Sequence, residues 1–211
     1  MKFEVDITKF GFLRDLALEL GASEVKVIPA DEIVVENRVV LKCRVGCKEY
    51  GKTLMCPPYA PSVDEFRKIL SEYSYALILK FKSQTEATAE IAKLLSKEES
   101  DPSLTEEMKQ KIRDFWASWK ADKRGLVKKI CVLEKAAVNK GYTLALGFTT
   151  GSCVICDACN VEEKICIHPT EARYSAQAVG INVLQTLENA GMPIPFPFEK
   201  NPESFGLVLI T

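Results

Sequence analysis

Tyr75-Ala-Leu-Ile-Leu-Lys-Phe81 is an almost unbroken apolar run of strand length, and Thr143-Leu-Ala-Leu-Gly-Phe148 and Gly206-Leu-Val-Leu-Ile210 are two more. Runs of this kind form central strands covered on both faces, because an exposed face would demand a polar residue at every second position. Helical patterns separate them. A helix is expected near Glu86 to Lys97, followed by a polar break at Glu99 to Pro102. A long helical stretch from about Thr105 to Lys140 comes next, closed by Gly141, and another helix near Glu171 to Ala190 ends at Gly191. Helices alternating with buried strands predict an α/β (or α+β) fold: one domain over residues 1–211, with a mixed β-sheet flanked by helices.

The N-terminal third is punctuated differently. A helix is expected from about Asp6 to Glu19, with Phe10, Leu13, Leu16 and Leu20 at helical spacing and Gly21 placed to stop it. Val25 to Ile28 and Ile33 to Cys43 are rich in β-branched residues and read as strands. Ser62-Val63-Asp64-Glu65 is a capping box that opens a helix reaching about Glu72. The cysteines of this region then fall on a loop held between a strand end and a helix.

The chemistry is concentrated in cysteine. Four of the eight cysteines fall within fourteen residues, as Cys153-Val-Ile-Cys156-Asp-Ala-Cys159 followed by Cys166. Three more form Cys43-Arg-Val-Gly-Cys47 and Cys56-Pro57-Pro58. An unbroken C-x2-C-x2-C lets three thiolates wrap one inorganic core, as in bacterial ferredoxins, whereas structural zinc favours two separated pairs. The gap of six residues before Cys166, with Pro169 three positions after it, departs from the ferredoxin spacing. Whether Cys166 completes the same cluster stays open. The upstream Cys43, Cys47 and Cys56 have no local fourth ligand, so a cubane held there would leave one iron to a remote ligand or open to a substrate. Gly46, Gly51, Pro57 and Pro58 shape that turn, and Tyr50, Lys52 and Tyr59 lie within it.

The expected cofactor is an iron–sulfur cluster of the [4Fe-4S] type, in one or two copies, with zinc as the alternative. Cys131 lies at helical spacing between Val127 and Val138 and reads as a core cysteine rather than a ligand. His168 is the only histidine, which excludes a two-histidine Rieske centre and leaves no spare base for a histidine-dependent hydrolase. No glycine-rich phosphate loop and no H-E-x-x-H motif occurs.

Composition bounds the setting. The formal charge of -1 over 211 residues gives no overall pull toward nucleic acid. No apolar run approaches the ~18 residues that span a bilayer, and Met1 to Asp6 carries acids where a signal peptide needs apolar residues. A cytoplasmic location is expected, where clustered thiols serve as ligands rather than disulfides. The long helix sets a stripe of Met108, Ile112, Phe115, Trp119, Leu126, Ile130, Leu133 and Ala137 against a basic face that includes Lys109, Lys120, Lys123 and Arg124. That face reads as solvated, with docking of an acidic electron carrier as the alternative. Gly125 marks a possible kink, and Met192 to Phe198 reads as an extended strap displaying Phe196 and Phe198.

The cysteine pattern, together with Tyr50-Gly51-Lys52, Cys56-Pro57-Pro58 and His168-Pro169, resembles a group of small cysteine-rich proteins known only as predicted metal-binding proteins. The resemblance spans most of the chain and implies that both cysteine groups belong to the shared pattern while Cys131 does not. It implies no activity. Three functions follow from the residues: a redox protein passing electrons to or from a protein partner, an enzyme with an open iron at Cys43/Cys47/Cys56, or a metal-stapled binding module.

Overall fold

The structure, a computed structural model, describes residues 7–97, 101–194 and 201–211. Met1 to Asp6, the Glu99-Ser100 part of the polar break, and Phe196 and Phe198 of the expected strap lie outside the described residues. The sheet order is β1-β2-β5-β3-β4, with β1 Glu24–Pro29, β2 Tyr75–Lys82, β3 Leu146–Thr149, β4 Tyr174–Ser175 and β5 Glu203–Ile210. The three apolar runs supply β2, β5 and β3, and they are adjacent at the centre. All pairs are antiparallel except β3 with β4. The mixed α/β sheet read from the sequence is therefore the observed one.

Each central strand buries both faces. Ala76, Ile78, Leu207 and Leu209 enter one core, packed by α3 (Val63–Leu70) and α6 (Val183–Asn189) through Phe66, Leu70 and Leu187. Leu77, Leu79, Val208 and Ile210 enter the other, against α1 (Gly11–Glu19) and α5 (Glu106–Asn139) through Phe10, Leu13, Ile130 and Leu133. Period-two alternation sends neighbouring residues to opposite cores, which is why no polar position interrupts the runs. Lys80 is the one buried charge of β2. It is 6% exposed, and its ammonium meets Glu24 at 2.8 Å and Glu203 at 3.1 Å, carboxylates supplied by the flanking strands.

Helix α5 lies directly on the sheet because two strand residues facing it have no side chain. A β-carbon on Gly206 of β5, or on Gly147 of β3, would fall inside the van der Waals envelope of Ile130, which is wholly buried. Ile130 is wedged over both glycines and cannot turn from one without pressing on the other. Gly206→Val is expected to lower stability by roughly 1–3 kcal/mol through overpacking, more than the gain in strand propensity offsets. Urea denaturation checks this; a variant as stable as the parent would show that α5 has room to lift.

Two expectations are corrected. Asn37–Gly46 forms a helix, α2, rather than the end of a strand through Cys43. Only Val35 keeps a bridge, to Ile181, and beyond it the neighbouring segment is the 3-10 turn Ala176–Val179, which offers no ladder. The backbone of 37–46 therefore satisfies its own hydrogen bonds despite Val39 and Val40. The second correction is the helix expected near Glu171 to Ala190. Tyr174 and Ser175 pair with β3, and Gly180 at φ 92° ends the 3-10 turn, so only Val183–Asn189 is α-helical. A side chain on Gly180 would also strike Val63. Elsewhere α4 (Ala89–Leu95) and α3 fall inside their expected spans, the latter with its capping box intact. Gly125 leaves α5 unbroken at 34 residues, about 50 Å long. Among the described residues no helix is long and apolar enough to cross a membrane.

Candidate metal centre

Cys43 lies in the last turn of α2, and Cys47 caps that helix, its N–H donating to the Cys43 carbonyl at 3.4 Å. The following loop is folded on itself. Gly51, at φ 75°, donates to the Pro57 carbonyl at 3.0 Å, and the Cys56 carbonyl accepts from Tyr59 at 3.0 Å and Ala60 at 3.1 Å. Cys56 is buried at 8% exposure, while Cys47 is exposed. The Cys56-Pro57-Pro58 turn contains a cis peptide between its prolines and delivers the chain to the Ser62 cap of α3.

The second group occupies the crossover from β3 to β4, the one parallel connection of the sheet. Helix α5 holds this loop. Arg124 Nε donates to the Val154 carbonyl at 2.9 Å, and Lys120 meets the Asp157 carboxylate at 3.0 Å. The basic face read as solvated is thus partly committed to the cysteine loop, and Trp119 of the apolar stripe, with the neighbouring Trp116, reaches the same place.

The two groups face each other across one cleft of ≈ 1110 Å³. Cys43, Cys47, Cys56, Cys153, Cys156 and Cys159 all line it. The Leu54 N–H donates to Cys159 Sγ at 3.4 Å, and the Cys153 N–H is directed at the Cys56 sulfur, so each loop supplies a donor to the other's thiol. Cys166 is half-buried and does not line the cleft, although its charge acts on Cys153 and Cys156. Cys131 lies elsewhere, half-buried on α5 with its thiol donating to the Glu171 carbonyl at 3.6 Å. His168 is also outside the cleft; its carbonyl closes a turn with Glu171 and Ala172.

The electrostatics of the cleft concern thiolates above all. Burial pushes the thiols of Cys43, Cys153 and Cys156 above the ordinary cysteine range, and repulsion from neighbouring thiolates adds to it. Cys56 is raised chiefly by burial, against the nearby Thr53 hydroxyl, which falls short of hydrogen-bond geometry, and the Cys153 N–H. Lys123 reaches in from α5. Burial lowers its pKa, opposed by the charges of Cys56, Glu49 and Cys47. Its ammonium fills the space that a β-carbon on Gly151 would need. Lys123, Trp116, Trp119 and Thr53 were not separable from the sequence as site residues; the only signal was that α5 is basic and aromatic on adjoining faces.

The donor set suits a soft metal or cluster held by thiolates, with amide N–H groups aimed at two of the sulfurs and the buried Thr53 hydroxyl left without a hydrogen-bond partner. Among the described residues, no three histidine, cysteine, aspartate or glutamate side chains converge as the ligands of a single metal ion. The thiols ring the cleft instead of forming one tight polyhedron.

A family model described as "Predicted metal-binding protein (DUF2284)" matches residues 26–210, a span that contains all eight cysteines. The chain belongs to this family of predicted metal-binding proteins. No curated protein and no solved structure matches the chain. The family match covers the sheet except Glu24 and Val25 of β1, and every α-helix but the first, so its predicted metal-binding character coincides with the part of the chain that builds the cleft.

Proposed function

We propose that this protein carries an iron–sulfur centre in the cleft and uses it to pass electrons to or from a protein partner. The observation that carries the reading is the meeting of six thiols, drawn from two segments far apart in the sequence, around one cavity. The unbroken Cys153-x2-Cys156-x2-Cys159 favours a cluster over structural zinc. Such a centre would supply one-electron chemistry when bound. Cys43, Cys47, Cys56, Cys153, Cys156 and Cys159 are the residues positioned to hold it, with Cys166 available from the same loop. The Leu54 and Cys153 N–H groups stabilise thiolate charge, which favours the reduced state. The exposed Cys47 brings one ligand candidate to the surface, where a partner can approach.

A second reading is favoured by the size of the cleft. Small-molecule sites run to roughly 300–1,000 Å³, and this one reaches ≈ 1110 Å³, which is room for a substrate beside the thiols. In that reading the three upstream cysteines leave a coordination position for the substrate.

Protein purified without oxygen is expected to be brown and to contain iron and acid-labile sulfide in near-equal amounts. Stoichiometric zinc without sulfide overturns the iron–sulfur assignment and leaves a metal-stapled module. A cluster spectrum that changes only when a small molecule is added favours the enzyme over the electron carrier.

A further inference from the structure

The sulfur atoms line only part of the cleft. Across from them α5 contributes Trp116, Trp119 and Lys123, and the upstream loop contributes Lys52 and Thr53. Trp116 is 53% exposed although it lines a cavity, so a large aromatic surface is left uncovered. Trp119 is backed by Phe115, stacked at 6.1 Å, which fixes its ring as a wall.

Two polar groups in this wall lack what their burial requires. Lys123 is half-buried, with its ammonium over the Trp119 ring at 5.9 Å from the centroid, and among the described residues no side chain hydrogen-bonds to it and no carboxylate lies within ion-pair distance. Lys120 and Arg124, on either side of it in the sequence, both reach Asp157. The Lys123 ammonium lies against the bare backbone of Gly151. Thr53 is 7% exposed, and its hydroxyl has no hydrogen-bond partner. Both stand beside Cys56. A desolvated cation and a desolvated hydroxyl are each costly unless something accepts from them. One oxyanion accepts from both.

We propose that the cleft binds a small organic oxyanion, a carboxylate or phosphate ester on a compact planar body, with Lys123 and Thr53 holding the anionic group and Trp116 covering the body. Among the lining side chains other than the cysteines, Lys48, Lys52 and Lys123 outnumber Glu49 once Lys120 is set against Asp157. The proposal deepens the reading in which the cleft admits a substrate, and it rests on the cavity rather than on which metal the thiols hold.

The test uses protein purified without oxygen, titrated with benzoate, phenyl phosphate, inorganic phosphate and the neutral benzamide. Binding is followed by calorimetry and by tryptophan fluorescence, which reports this wall alone because Trp116 and Trp119 are the only two tryptophans. Benzoate or phenyl phosphate is expected to bind saturably and to change the fluorescence, with benzamide at least about tenfold weaker, as loss of a charge-assisted hydrogen bond implies. Lys123→Gln should weaken the anion by about tenfold or more, Lys123→Arg should retain most of the affinity, and Lys109→Gln, outside the cleft on the same helix, should change nothing. Benzamide binding as well as benzoate, Lys123→Gln binding as well as the parent, or no saturable binding of any probe overturns the proposal. Inorganic phosphate matching phenyl phosphate overturns the role of Trp116. Should Lys123→Gln not fold, Thr53→Val carries the same test, and unchanged benzoate affinity there is equally fatal. Iron and sulfide analysis of the same samples judges the metal centre separately, so loss of one reading is not mistaken for loss of the other.

Discussion

Glu134→Ala is expected to lower stability by about 3–5 kcal/mol, a large share of what a domain of this size possesses. The carboxylate on α5 receives Arg173 through two parallel bonds, Nε at 2.7 Å and Nη2 at 2.5 Å, and its Oε2 also accepts the Gly147 N–H of β3 at 2.6 Å. The two side chains are 12% and 15% exposed, so water cannot take over when one partner goes. Removing Glu134 strands a guanidinium and a strand N–H together in a site with little solvent. Glu134→Gln should cost less, because its amide oxygen can still accept from one of them. Replacing both charges by Glu134→Leu and Arg173→Met should recover part of the loss, since burying an ion pair is itself expensive. Chemical denaturation of the three variants measures all of this. A loss below about 1 kcal/mol for Glu134→Ala would mean that the pair behaves as a surface bridge. The pair has a consequence for the site as well: Arg173 precedes β4 directly, so Glu134 pins the strand to which the cysteine crossover returns.

The legible parts of the fold were those in which local pattern and tertiary context agree. Tyr75 to Phe81 and Gly206 to Ile210 are apolar at every step or nearly so, and only a strand buried on both faces uses such a run. The capping box at Ser62 is a local hydrogen-bond device and survives any context. Asn37 to Gly46 failed because Val39 and Val40 favour a strand only when a partner strand exists, and no partner lies beyond Val35. The division of 171–190 into strand, turn and helix was hidden because two residues of pairing, Tyr174 and Ser175, leave no periodicity to detect. The cysteines were legible as two ligand-like groups by spacing. That the groups share a cleft was not, because their meeting depends on the order of β3, β4 and β5 and on where α5 crosses them. Trp119 illustrates the same limit: its helical spacing to Ile112 and Leu126 puts it on the core stripe, but the sheet ends before α5 does, and the stripe passes from core into cleft wall.

Cys56→Ser should remove metal from both cysteine groups and not from the upstream one alone. Cys56 is the buried member of its group, and it is the sulfur toward which the Cys153 N–H is directed, while Leu54, two residues before it, donates to Cys159. The two loops therefore support each other's thiolates at this contact, and Lys123 places its charge beside the same atom. Loss of even one supporting hydrogen bond weakens metal sites by about 10–100-fold. Replacing a thiolate at the contact removes a ligand and a support together, so retained metal per chain is expected to fall at least about tenfold after gel filtration. Cys131→Ser, about two turns further along α5 than Lys123 and bonded to the Glu171 carbonyl, should keep the parent's metal content. Iron, zinc and sulfide are measured on each variant, with circular dichroism confirming that the sheet is intact. If Cys56→Ser keeps the full share of metal held by Cys153, Cys156 and Cys159, the two groups are independent centres that merely border one cavity, and the coupling argued from the Leu54 hydrogen bond and the Cys153 N–H is wrong.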